Sequence, residues 1–222
     1  MTEVIAVRPA DEVRTARALL AGGALAGPLW VAVALSQGLT RTGFDFRRHP
    51  VSVLSNGDLG WLQIGNFVLA GLLCVGAAWA LRRVLHPGLG PVGGPWLLGQ
   101  YGVGLVLSGI FVADPLDGFP AGTPRGAGEV SWHGLAHFGA GAVAFTALIA
   151  ACLVAARRFA RRGERGWAAY SAATGVFFGA AWLALIGSAG RPVAMILFGL
   201  AVAAGWTWVS VTLLRARREA VG

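Results

Sequence analysis

Lysine is absent from these 222 residues, acidic side chains number only ten, and cysteine occurs twice. Each shortage excludes something. Charged residues make up 13% of the chain, about half the share of an ordinary soluble domain, so a water-soluble globule is not expected. Cys74 and Cys152 both fall inside apolar stretches. They read as two small core thiols rather than a disulfide framework. No window alternates apolar and polar residues in the manner of a barrel strand, which argues against a membrane β-barrel. The first eighteen residues carry Glu3, Asp11 and Glu12 and lack a short apolar run ending in small residues. A cleaved signal is therefore not expected, and the first span should stay as an anchor.

What is abundant fits an integral membrane protein. Hydrophobic residues make up 56%, with 34 glycines, nine tryptophans and a mean hydropathy of +0.66. Six windows, at about 16–37, 60–81, 95–113, 132–156, 167–187 and 193–214, are long enough to cross a hydrocarbon core of about 30 Å as helices. Together they use nearly the whole chain. The expected fold is all-α, a single six-span membrane domain over residues 1–222 with no soluble domain.

The arginines orient it. Arg8, Arg14 and Arg17, then Arg82 and Arg83, then Arg157, Arg158, Arg161, Arg162 and Arg165, and finally Arg215, Arg217 and Arg218 all fall on one side. Against these thirteen, the other side has Arg41, Arg47, Arg48, Arg125 and Arg191. The positive-inside rule then puts both termini in the cytoplasm of a cell carrying this protein in its plasma membrane. Arginines held in short loops also explain the net charge of +8 without a nucleic-acid partner; the partners expected are membrane lipids, with a homo-oligomer left open. Small residues, among them Gly71, Gly102, Gly104, Gly109, Gly139 and Gly141, suit close helix approach, the last two for the fourth helix. Trp61, Trp96, Trp132, Trp167 and Trp206 lie near span ends, where headgroup-level rings are favoured.

The polar residues left over gather on the extracytoplasmic side. Asp114-Pro-Leu-Asp117-Gly-Phe-Pro stands where one apolar segment ends, and Trp132-His133-Gly-Leu-Ala-His137 opens the next. Ionisable groups at such a boundary suggest function, because placing them near hydrocarbon costs several kcal/mol. His133 and His137 share a helical face one turn apart, a spacing that suits two metal ligands or a wet helix end. Pro115 stops the third helix, leaving Asp114 at a C-terminus that disfavours a carboxylate, so a positive partner is expected. Asp117 fits a solvated turn better. His49-Pro-Val-Ser52-Val-Leu-Ser55 suggests a short helix with Pro50 as first residue and Ser52 and Ser55 on one face. Asn56-Gly-Asp58 is a turn signal before the second span. Gln63 and Asn66 need buried partners, whether a ligand, a metal-bound histidine or another helix. Arg47, Arg48 and Arg125 ring the same layer as solvated charges or as a phosphate clamp. His86, in a turn on the far side, stands apart.

Arg48-His-Pro-Val-Ser-Val-Leu-Ser55, Gly60-Trp-Leu-Gln63 with Asn66-Phe67, Asp114-Pro115, Gly118-Phe-Pro-Ala-Gly-Thr-Pro124 and Trp132-His-Gly-Leu-Ala-His137 resemble the bacterial and archaeal membrane family called domain of unknown function 998. The likeness covers most of residues 40–140 and is weaker through the last two spans. It implies six spans and no particular activity. In arrangement, the site is also similar to the alkaline ceramidase and adiponectin-receptor-like hydrolases, seven-helix proteins with a three-histidine zinc site. That similarity implies zinc on His49, His133 and His137, with Asp114 and Ser52 as acid and hydroxyl. Here the His-x3-His pair lies in the fourth span rather than the last.

The expectation is an intramembrane zinc hydrolase of lipid amides or esters at the outer leaflet. In it Asp114 serves the zinc-bound water, and Ser52 with Gln63 or Asn66 serves the oxyanion. Ser55, Asp117 and Arg48 would support the site or the substrate. The alternative is a non-enzymatic transporter or lipid-binding module with a His/Asp proton or ligand site. A third option, b-type haem, would need His49 as one axial ligand.

Overall fold

A computed structural model describes residues 10–84, 93–126 and 128–219. Among them are six α-helices and no strands. They are α1 (Ala10–Thr40), α2 (Gly60–Val84), α3 (Gly93–Ile110), α4 (Trp132–Arg161), α5 (Arg165–Gly187) and α6 (Pro192–Glu219). A 3-10 turn, Val51–Ser55, lies between α1 and α2. Arg8 and His86 fall outside the described residues.

Runs of Leu, Val, Ala and Gly form helices here because hydrocarbon offers backbone groups no partner but one another. Five of the six helices are long and apolar enough to cross a membrane. The sixth, α3, spans 18 residues and dilutes its apolar stretch with Pro95, Gln100, Tyr101 and several glycines. It ends at Ile110, three residues short of the 113 read from the sequence, and α1 and α6 extend further at both ends than their predicted windows. Exposed Leu25, Leu29 and Leu35 on α1, Leu69 and Leu72 on α2 and Val103 on α3 are surface a bilayer covers. The chain is a multi-pass membrane protein in contact with lipid.

Each helix packs on its successor, and α6 closes the ring against α1. The middle of the ring is aromatic: Trp206 is 1% exposed, with ring centroids 5.8 Å from Trp30 and 5.3 Å from Tyr101. Trp206 is therefore a core residue and not the interfacial anchor its position suggested. Trp61, Trp96 and Trp132 are exposed, as expected of such anchors. Cys74 and Cys152 are free and buried, as expected.

Glycine sets two of the helix contacts. A Cβ on Gly71 would stand 2.5 Å from the Gly102 carbonyl oxygen, and one on Gly102 would stand 2.6 Å from that of Gly71. The backbones of α2 and α3 thus touch directly. Gly104 similarly meets Ala140 and Ala144 of α4. Gly139 and Gly141 do not serve this role: a Cβ on either would meet no other helix within 4 Å. It is the alanines between them and after them that let α4 approach α3.

Candidate functional site

The sequence motifs gather at the end of the bundle formed by residues 41–59, 111–126, 128–131 and the start of α4. His49 is 1% exposed, with its ring between Phe44 and Phe119 at 5.3 and 5.8 Å. Its Nδ1 accepts the Asp45 backbone N–H at 3.0 Å. An acceptor nitrogen carries no proton, so the ring proton sits on Nε2, which donates to the Asp117 carbonyl at 3.2 Å. Both ring nitrogens are consumed in joining the first loop to the third.

Arg48 reinforces that joint, donating to Asp117 Oδ2 at 3.3 Å, while Arg47 pairs with Asp45 at 2.9 Å. Asp117 does lie in a turn, but its carboxylate is bonded to protein rather than left to solvent. Its backbone is left-handed (φ 44°), and its Oδ1 accepts the Gly126 N–H at 2.9 Å. That bond outweighs partial desolvation and, with Arg48 nearby, holds the carboxyl below its ordinary pKa. Asp45 is lowered further, to about 2, chiefly by its hydrogen bonds from Arg47. Asn56 crosses from the 3-10 turn to the Ala113 carbonyl at 2.8 Å. Arg41, which sequence reasoning passed over, stacks on Phe119 at 4.8 Å and donates to the Leu54 and Asn56 carbonyls. An arginine just beyond a helix end, near a phenylalanine-rich loop, was the available clue.

Pro50 precedes the short helix as its cap rather than starting it, with ψ 149°. Ser52 is half-buried there, and Ser55 is buried with its hydroxyl lacking a partner.

Asp114 lies beyond α3 and faces the next helix. Its carboxylate accepts the Ser131 backbone N–H at 2.8 Å and the Ser131 hydroxyl at 2.6 Å. Ser131 in turn caps α4 through the Gly134 N–H at 3.0 Å. The positive partner expected for Asp114 is thus the amino end of α4, and the assignment to the C-terminus of α3 is corrected. Burial raises the Asp114 pKa, but the two bonds from Ser131, aided by His133 and His137, leave it below the ordinary value. Gly134 makes the approach feasible, since a Cβ there would stand 1.9 Å from Asp114 Oδ2.

His133 and His137 each present Nδ1 to a carbonyl at the end of α3. His133 reaches Val112 at 3.0 Å, and His137 reaches Phe111 at 2.8 Å and Ser108 at 3.0 Å. A carbonyl only accepts, so both rings carry their proton on Nδ1 and leave Nε2 bare. His133 Nδ1 also lies 3.7 Å from Asp114. The pair straps α4 to α3.

Gln63 and Asn66 turn inward and bond across helices. Gln37 donates to Gln63 Oε1 at 3.0 Å, and Asn66 donates to the Trp30 carbonyl at 3.1 Å. Gln37 was not singled out from the sequence, although an amide near the end of an apolar span is the same signal as Gln63.

These donors do not fit zinc. Among the described residues, no three His, Cys, Asp or Glu side chains form a group that could hold a metal ion. The physical reason lies in His49, whose only lone pair already accepts the Asp45 N–H and whose other nitrogen is a donor. A ligand histidine must offer a bare nitrogen, usually with its second N–H held by a carbonyl. His133 and His137 meet that condition, and His49 does not.

A family model described as a protein of unknown function, DUF998, matches residues 24–215. The chain belongs to the DUF998 family. The DUF998 match takes in every residue of the site, from Gln37 through His137, and reaches into α6. No curated protein and no solved structure matches the chain. The likeness to the ceramidase-type hydrolases rests on residue spacing alone.

Proposed function

We propose that this DUF998 member is a non-enzymatic plasma-membrane protein with six spans and both termini in the cytoplasm. Its extracytoplasmic rim would carry a His/Asp proton site. What supports the orientation is the excess of arginine at the opposite end of the bundle. In this reading α3, although short, crosses as a sixth span packed between α2 and α4.

One observation carries the proton reading: His133 and His137 hold α4 to α3 through Nδ1 while Nε2 stays bare. A proton can therefore be added without breaking either bond. His133 has a side chain 42% exposed and is the accessible one. Its imidazolium, once formed, would stand beside the ionised Asp114 and tighten the strap. The metal-hydrolase reading ranks below this one because it must first break the two bonds of His49.

Hydrogen exchange in detergent or nanodiscs tests the proposal. Amides of residues 128–135 should exchange more slowly at pH 5.5 than at pH 7.5, after correction for intrinsic rates. That difference should vanish in His133→Gln. A pH-independent pattern, or purified protein that carries one equivalent of zinc and cleaves a lipid amide, would overturn it.

A further inference from the structure

At the far end of the bundle, α2, α3, α4 and α6 surround a pocket that the site above does not use. It is partly open to its surroundings, with a cavity volume of about 120 Å³, room for several waters. Leu81, Leu98, Val154 and Leu213 form apolar walls. Arg158, Arg162, Arg215 and Glu219 also line it, so three arginines share the lining with one glutamate.

The three arginines are not equivalent. Arg215 is already neutralised, 2.6 Å from Glu164 and 2.8 Å from Glu219. Its guanidinium also lies over the rings of Phe159 and Trp167 at 4.9 and 4.8 Å. Arg158 and Arg162 form no ion pair among the described residues, and Arg158 Nε is buried without a hydrogen-bond partner. A buried guanidinium nitrogen left unpaired is costly, so such a group ordinarily has an acceptor. Apolar walls behind two free guanidiniums, at the rim of a membrane bundle, match one chemistry: a phosphate attached to a hydrocarbon chain.

We propose that this pocket binds the phosphate of an anionic phospholipid. Arg158 and Arg162 clasp the headgroup, and the first carbons of one chain lie against Leu98 and Leu213. The pocket is too small for a whole lipid, so the rest of the chain stays in the bilayer. The proposal is independent of the proton site at the other rim.

Native mass spectrometry of the full chain, released from micelles with added phosphatidylglycerol or phosphatidylcholine, tests it. Phosphatidylglycerol should saturate at one tightly held equivalent, and phosphatidylcholine should bind at least tenfold more weakly. Arg158→Gln and Arg162→Gln should each weaken retention several-fold. Ala216→Trp, which leaves every arginine in place, should obstruct the pocket and abolish the single tight equivalent. Millimolar inorganic phosphate should not displace the lipid. Four outcomes would overturn the proposal: unsaturable binding, equal retention of both lipids, equal competition by free phosphate, or full retention in both Arg158→Gln and Ala216→Trp proteins with native melting curves.

Discussion

The contact of Asp114 with the amino end of α4 gives a test of unusual sharpness, because two different substitutions attack the same atom pair. Asp114→Ala removes a largely buried acceptor that serves both the N–H and the hydroxyl of Ser131. Hydrogen bonds to a charged acceptor contribute about 1.5–3 kcal/mol each. Water can replace part of them at this rim, so the expected loss is about 2–4 kcal/mol, and about half that for Asp114→Asn. Gly134→Ala should cost a similar amount by another route, since its Cβ would stand 1.9 Å from Asp114 Oδ2 and must drive the carboxylate out. With the carboxylate already removed, the obstacle is gone. In the Asp114→Ala background, Gly134→Ala should be neutral or gain up to about 1 kcal/mol of helix propensity. The double-mutant cycle should therefore show a coupling of about 2 kcal/mol or more. Thermal or denaturant unfolding in detergent, followed by tryptophan fluorescence, measures it. Strictly additive effects, or an Asp114→Ala protein as stable as wild type, would refute the reasoning.

Other consequences follow from the same geometry. Gly71→Ala should destabilise by about 1–3 kcal/mol, because backbone rather than side chain blocks the new methyl. Gly139→Ala, with open space around it, should be neutral or slightly stabilising in the same melts. His49→Phe keeps the shape between Phe44 and Phe119 but strands the Asp45 N–H and the Asp117 carbonyl, so a loss of about 1–3 kcal/mol is expected. Asp45, Asp114 and Asp117 all have lowered pKa values. Their stabilisation is thus present above the ordinary carboxylate value of about 4 and is lost as pH falls through the lowered ones. Melting temperature should decline below about pH 4, and less so in Asp114→Asn, which has no charge left to lose there.

Much of the architecture was legible because hydrocarbon imposes it. Long apolar windows and clustered arginines identify helices and their order without any tertiary knowledge, and all six windows match helices. The failures are equally physical. α3 was read too long because Phe111-Val-Ala113 is apolar enough to continue a helix, whereas those residues leave it to present their carbonyls to His133, His137 and Asn56. Trp206 was read as an anchor because position along a span says nothing about which side faces the ring's interior.

At the site, the residues singled out from the sequence come together, but their bonds differ from those expected of metal ligands. His49, Asp114, Asp117, His133 and His137 do gather at one end of the bundle, but most of their polar atoms bind backbone. Backbone partners leave no mark in a residue pattern. A histidine that bonds a carbonyl and a histidine that binds zinc look alike in one dimension. Arg41 was missed for the same reason, since its partners are loop carbonyls.

The chemistry of this rim depends most on which ring nitrogens carry protons. Nitrogen-15 NMR of histidine-labelled protein in nanodiscs at pH 7.5, assigned with single histidine variants, reads this directly. The expected result is a proton on Nε2 for His49 and on Nδ1 for His133 and His137, with no change when zinc is added. A His49 ring protonated on Nδ1, with Nε2 shifting on zinc addition together with the other two, would contradict it.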